Sequence, residues 1–246
     1  MTDYLIFRLY GPMASWGDIA VGQARPSYTH PSKSAVQGLI AAALRIDREQ
    51  EEKHLALAVE YRFAVRVDSM GVPLVDYHTA QVPPAGGGCN RRTYATRRDE
   101  LSTLPRDALN TILSRRDYRM DALSTVALWA RAAAPSFSLA EIRTALESPG
   151  YVLYLGRKSC PLALPLEAQV VQASSIREAF ATARFAKLDE LQHLRLSGPP
   201  ALYWEEGAQA GLPPRHTFER RDVPLSRRRW QFDVRREYQA ALGEEE

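Results

Sequence analysis

The pattern of apolar and polar positions gives most of the elements of the first 155 residues. Tyr4-Leu5-Ile6-Phe7-Arg8-Leu9-Tyr10 is rich in aromatic and branched residues and predicts a strand. Its apolar positions do not keep to one parity, so both of its faces are expected to be covered. Gly11-Pro12 ends it. After a long loop, Val36, Leu39, Ile40, Ala43 and Leu44 recur at helical spacing, with Ser34 and Gln37 fitting a capping box at the helix start. Leu55 and Leu57 suggest a short helical piece after a charged connection. Tyr61 to Val67 alternates, with Phe63, Val65 and Val67 on one face and Arg62 and Arg66 on the other, and reads as a strand. Val72 to Thr79 is its expected hairpin partner, with Ser69-Met70-Gly71 near the turn. Leu123 to Ala130 predicts a further strand. Ser138 and Glu141 form a second capping box before a helix whose apolar face is Leu139, Ile142 and Leu146. Tyr151 to Leu155 reads as the closing strand.

Residues 80–116 interrupt this order. Pro83-Pro84 and Gly86-Gly87-Gly88 cannot continue a sheet. A weak helical pattern follows at Leu101, Leu104, Leu109, Ile112 and Leu113. Such an excursion within a compact domain points to function or disorder. Without it, the order is that of a split βαβ unit. The expected fold class is therefore α+β: a ferredoxin-like, RRM-like domain over residues 1–160, and a smaller, β-rich C-terminal domain over residues 161–246 packed on it. In that second part Gln169 to Ala173 suggests a strand. Leu202-Tyr203-Trp204 falls in a loop between proline pairs, and Thr217–Arg220 pairs with Arg229–Val234. The sheet face of such a domain is a platform for single-stranded RNA.

Composition narrows the class. The 246-residue chain is 45% hydrophobic and 25% charged, which fits a soluble globular protein. No run approaches a transmembrane helix and the N-terminus reads as a strand, so the cytoplasm is the expected compartment and no membrane partner is expected. Cys89 and Cys160 have no metal-ligand spacing, which argues against a disulfide framework or structural zinc. A net charge of +3 says little, but its distribution says more. Arginines gather at 91–92, 97–98, 115–116, 220–221, 227–229 and 235–236, away from the acidic clusters at 49–52, 205–206 and 244–246. That segregation suits a polyanion, although any single pair is equally a solvated face.

The loop between the first strand and the first helix carries Trp16, Arg25, Tyr28, His30 and Lys33, and the helix start offers free N–H groups and a positive dipole end. Two readings stand: a binding loop, or Trp16 in the core with the charges solvated. Gly156-Arg157-Lys158-Ser159 is a second phosphate-binding candidate, since glycine lets the backbone approach a ligand closely. No dinucleotide fingerprint, phosphate-binding loop, zinc-protease motif or nucleophile elbow is present. His30 and His78, with Lys33, would suit metal-free RNA cleavage if the fold joins them; a histidine near a polyanion is otherwise a hydrogen-bonding contact.

Several stretches together resemble one family. They are the first strand followed by Gly11-Pro12-Met13-Ala14-Ser15-Trp16-Gly17; Arg25-Pro26; Pro31-Ser32-Lys33-Ser34; Asp76-Tyr77-His78-Thr79; Thr125-Val126-Ala127-Leu128-Trp129; and Tyr154-Leu155-Gly156-Arg157-Lys158-Ser159-Cys160-Pro161-Leu162. To about residue 175 the chain resembles the CasD family of type I-E CRISPR Cascade subunits, within the RAMP superfamily. The resemblance implies a modified RRM domain, an inserted thumb over about 80–116 and a smaller C-terminal domain. It implies a non-catalytic subunit in antiviral defence that holds the 5′ handle of the CRISPR RNA and caps the backbone filament. Its neighbours would be the backbone subunit CasC and the large subunit CasA, with target DNA met through the assembled complex. The implied RNA-binding residues are Trp16, Arg25, Ser32, Lys33, Ser34, His78, Tyr154, Gly156, Arg157, Lys158 and Ser159. The thumb would add Arg91, Arg92, Tyr94, Arg97 and Arg98. No cofactor, metal or catalytic residue is implied. In type I-E systems the subunit CasE cuts the precursor RNA, whereas a type I-C relative cuts RNA itself. A metal-independent endoribonuclease is therefore the alternative.

Overall fold

The computed structural model describes residues 1–84, 94–186, 191, 194 and 199–243. In chain order its elements are β1 (Thr2–Tyr10), β2 (Met13–Ala14), β3 (Trp16–Gly17), β4 (Ala24–Arg25), β5 (Ser27–Tyr28), α1 (Lys33–Ala43), α2 (Glu51–Glu60), β6 (Tyr61–Ser69), β7 (Val72–Val82), α3 (Arg97–Ser102), β8 (Asn110–Met120), β9 (Leu123–Ala130), α4 (Leu139–Glu147), β10 (Gln169–Ala173), α5 (Ile176–Thr182), β11 (Ala201–Glu205), β12 (His216–Ser226) and β13 (Gln231–Ala241).

From Tyr4 to Tyr10 every residue of β1 is buried. Leu5, Phe7 and Leu9 face one core, shared with Phe63, Val65 and Val67 of β6 and with α1 and α4. Tyr4 and Ile6 face a second core, shared with Trp204 and with Ile176, Ala179 and Phe180 of α5. The broken alternation in the sequence reflects a strand covered on both sides. The main sheet runs β10-β1-β9-β6-β11-β13-β12, and all of its neighbours are antiparallel. Four of those strands come from residues beyond 161, so the C-terminal part extends the sheet of the first part. The second capping box forms as expected: Ser138 Oγ accepts from the Glu141 N–H, and Glu141 Oε2 accepts from the Ser138 N–H at 2.7 Å.

Five expectations are corrected. The cap of α1 is Ser32, whose side chain accepts from the Ala35 N–H, and not Ser34; the Gln37 amide donates instead to Leu57 O at 2.9 Å, tying α1 to α2. β7 does not pair with β6, because β9 and β11 occupy both edges of β6. It pairs with β8 from Val72↔Met120 to Val82↔Asn110, making a long ribbon that is mostly exposed. Leu109 immediately precedes β8, and Ile112 and Leu113 lie within it, so they are not part of a helix. Tyr151 to Leu155 is not a strand: Tyr154 makes a single bridge to Pro161, and β10 takes the edge beside β1. The buried Leu153 and Leu155 produced the strand-like pattern. Leu202-Tyr203-Trp204 is not a loop but the centre of β11. No helix among the described residues is long and apolar enough to cross a membrane.

Candidate nucleic-acid interface

The segment after Gly11 is pinned to the ribbon and to the turn at 156. β2 pairs with β8, with Met13 opposite Met120. The Ser15 N–H donates to Leu155 O at 3.0 Å. Gly156 has φ +86, and a Cβ there would lie 1.9 Å from Ser15 O, so only glycine fits this close approach. The contact brings the Arg157-Lys158-Ser159 turn against the ribbon root. There β4 runs parallel to β8, with Ala24 opposite Arg115 and Arg25 opposite Arg116. Like charges set opposite each other are unfavourable unless compensated. Arg115 has Asp117 at 3.2 Å. The Arg157 guanidinium donates to Arg25 O at 3.3 Å and lies 4.8 Å over the Tyr118 ring. Its Nη1 is buried and has no hydrogen-bond partner among the described residues. Lys158 and Ser159 are exposed in the same turn.

Beside this root lies a groove of about 600 Å³. Loop residues 17–20, the first turns of α1, the 152–156 turn and the β12–β13 hairpin form its walls. Four of the expected RNA-binding residues meet here: Ser32, Ser34, Tyr154 and Gly156. Arg220, Arg221, Arg227 and Trp230 join them from the C-terminal hairpin. Sequence reading placed Arg220 and Trp230 on two pairing strands and Arg220, Arg221 and Arg227 in arginine clusters, without joining any of them to the first loop; the run Arg227-Arg228-Arg229-Trp230 leading into the second alternating segment was the available signal. Arg220 is 3% exposed, and its Nε and Nη2 lack hydrogen-bond partners among the described residues. The Asp18 and Asp222 carboxylates also line the groove. Tyr28, on the same wall, has its phenol pushed up to about 12 by burial and by its hydrogen bond to Asp18.

Other expected residues lie elsewhere. Trp16 is 3% exposed and packs in the main core, so it offers no surface for a base to stack on. Lys33 is buried, with its ammonium 2.9 Å from Glu205 Oε1. The anion position at the start of α1 is filled from within: Asp222 Oδ2 accepts from the Lys33 N–H at 2.8 Å. His30 and His78 keep separate partners. His30 is buried, stacked on Tyr203 and 3.0 Å from Glu237, and burial pulls its pKa down. His78 is exposed on the ribbon and 2.9 Å from Asp76. Arg97 pairs with Glu100 on the exposed α3, where Arg98 is also exposed, and Tyr94 is half-buried just before it. Arg91 and Arg92 lie outside the described residues. Among the described residues no three His, Cys, Asp or Glu side chains gather to hold a metal ion.

Beneath the groove, Glu237 binds His30, Arg220 and Arg235. Burial works to raise its carboxyl, but the His30 hydrogen bond and the two guanidinium charges outweigh it and hold the pKa at about 2, below the ordinary 4.5. A depressed carboxylate adds stability that is fully present above 4.5 and is lost as pH falls toward 2. Urea midpoints measured from pH 5 to pH 2.5 are expected to fall more steeply for the wild type than for Glu237→Gln. Equal slopes would remove Glu237 from the acid limb.

Over residues 4–238 the chain matches the family described as CRISPR-associated protein (Cas_Cas5). It is 36% identical over 179 residues to the CRISPR system Cascade subunit CasD of Escherichia coli (strain K12), covering 73% of this chain and 76% of that one. A chain of a solved structure described as a CRISPR RNA-guided surveillance complex superposes with a TM-score of 0.66 at 28% identity, over 97% of this chain and 89% of that one. A second solved structure, described as a Cas protein, superposes with a TM-score of 0.59 at 24% identity, over 97% and 94%, and speaks for the fold alone.

Proposed function

The chain belongs to the CRISPR-associated Cas5 family, and from that premise we propose that it is a non-catalytic subunit of a Cascade-type surveillance complex that holds the 5′ handle of the CRISPR RNA and caps the backbone filament. The observation that carries this is the pair of arginines whose buried donors lack hydrogen-bond partners among the described residues, Arg220 at the groove and Arg157 at the ribbon root. Buried donors without acceptors are unfavourable, and phosphate oxygens would satisfy them. The facing Arg25 and Arg116 would be relieved by the same charge. The strand order β10-β1-β9-β6 supports a ferredoxin-like unit, with β11–β13 as its C-terminal extension. The β7–β8 ribbon with α3 is the proposed thumb, reaching toward the backbone subunit CasC and the guide. CasA is the other proposed neighbour, target DNA is met through the complex, and the cytoplasm is the proposed compartment. Metal-independent cleavage is the weaker reading, because His30 and Lys33 are occupied by buried carboxylates and His78 pairs with a different carboxylate, Asp76.

The test is the affinity of the purified chain for the handle RNA of its own repeat across a salt series. Arg116→Ala and Arg157→Ala are each expected to lower the slope of log affinity on log salt by roughly 0.7. Slopes equal to wild type in both variants would overturn the placement, and repeat cleavage by the wild type in EDTA would overturn the non-catalytic reading.

A further inference from the structure

The outer wall of the groove carries an arrangement that overall phosphate binding does not account for. Trp230 closes the turn between β12 and β13 with φ +57, a left-handed conformation that a bulky L-residue adopts only when its surroundings hold it there. A tryptophan placed for packing would be covered, yet this one is 59% exposed. Phe232 meets its ring edge-on at 5.6 Å and 87°. The Arg48 and Arg227 guanidinium carbons lie 4.9 and 5.3 Å from its ring centroid. The position is fixed from a distance in sequence, since Arg48 Nε donates to Arg227 O at 3.1 Å.

Arg227 itself is unusual. A Cβ on Gly38 would lie 2.7 Å from its Nη2, so the guanidinium rests against the bare backbone of α1. No carboxylate pairs with it among the described residues, while burial and the neighbouring Arg48 charge both work against its own charge. Tyr154, 38% exposed, lines the same groove. An exposed aromatic ring beside an uncompensated, partly desolvated cation is the pairing that single-stranded nucleic acid takes. The ring stacks on a base of any identity, and the cation takes the adjoining phosphate.

We propose that this wall is a single-nucleotide subsite, in which Trp230 stacks on one unpaired base of the bound RNA and Arg227, with Arg48, holds the phosphate beside it. The proposal rests on the RNA-binding reading above and names where one nucleotide of that RNA sits. A protein neighbour is the competing occupant. The cations argue against an apolar protein segment, and no acidic one is needed to explain the exposed ring.

The test uses the full chain and handle RNAs carrying 2-aminopurine at each position in turn. One position is expected to be quenched by the wild type. Trp230→Ala is expected to remove that quench and weaken binding by about 5- to 150-fold, the range for one stacked base. Trp230→Phe should retain most of both. Arg227→Gln should lower the salt slope by roughly 0.7. Wild-type affinity and quenching in Trp230→Ala, with the Arg116 and Arg157 slopes still reduced, would overturn the subsite and leave the broader function standing. No RNA binding by the wild type would overturn both. Normal RNA binding by Trp230→Ala with failure to join the complex would give the surface to a protein partner and also overturn the subsite.

Discussion

Lys33→Met is expected to lower stability by about 3–5 kcal/mol, the range for breaking a buried ion pair from one side. The Lys33 ammonium lies 2.9 Å from one Glu205 oxygen and 3.2 Å from the other, with a further contact to Tyr61 O at 3.4 Å. Both side chains are at most 10% exposed. The pair joins the first turn of α1 to β11, the strand through which the C-terminal hairpin enters the sheet. Removing the lysine leaves a carboxylate that burial already pushes up. A raised folded-state carboxyl favours the fold at low pH and loses that contribution as pH rises, so the penalty should grow from pH 4 to pH 7. For a chain of this size the melting temperature should fall by about 6–20 °C. Replacing both partners by apolar residues, Lys33→Met with Glu205→Leu, should recover much of the loss, because no charge is then stranded. The RNA salt slope of the folded protein should not change. A normal melting temperature with a reduced slope would return Lys33 to the phosphate site that its sequence position suggests.

Lys33 also shows where sequence reading stops. The elements defined by local period came through: β1, β6, β9, α1 and α4 lie where apolar spacing put them, and the Ser138–Glu141 box is complete. What failed was pairing over distance. β7 alternates well, but its partner β8 begins at Asn110, beyond a Pro-Gly stretch, and its apolar spacing passes for helical. The edge strand β10 lay past the expected boundary at 160, and Tyr151–Leu155 imitated it because two buried leucines alternate there. At the site, Gly156 and Arg157 were legible because a glycine before a cation has a local meaning. Trp16 and Lys33 were legible as residues but not as environments. Nothing near them in sequence reveals the core around Trp16, or that Glu205 and Asp222 arrive from β11 and β12 to occupy the charges of the α1 start. Trp230 was read only as a position on a pairing strand and Arg227 only as a member of an arginine cluster, since the groove exists only once the hairpin folds back over α1.

A chain cut inside the ribbon is expected to fold but not to assemble. The register gives the place to cut. Thr79 lies opposite Leu113, so deleting residues 80–112 and joining the two with Asn-Gly closes the shortened ribbon with a two-residue turn suited to antiparallel strands. The pairs from Val72↔Met120 to Thr79↔Leu113 remain, as do β2 on Met120 and Arg119 and β4 on Arg115 and Arg116. A cut through 116 would instead strip β4 of its partner and confuse lost assembly with lost folding. Among its described residues, nothing in the excised part belongs to the main core: α3 has no buried residue and the outer half of β7 is exposed. The melting temperature of the shortened chain should stay within about 4 °C of wild type, the shift for roughly 1 kcal/mol in a chain of this size. Its binding to isolated handle RNA should keep the salt slope set by Arg116 and Arg157, because the ribbon root is intact. Native mass spectrometry of the co-expressed complex should show loss of the full-mass species, since the ribbon is proposed to be what reaches the neighbouring backbone subunit and the guide beside it. A full-mass complex with normal RNA content would reject the thumb reading, whereas an unfolded variant would move the outer ribbon into the core.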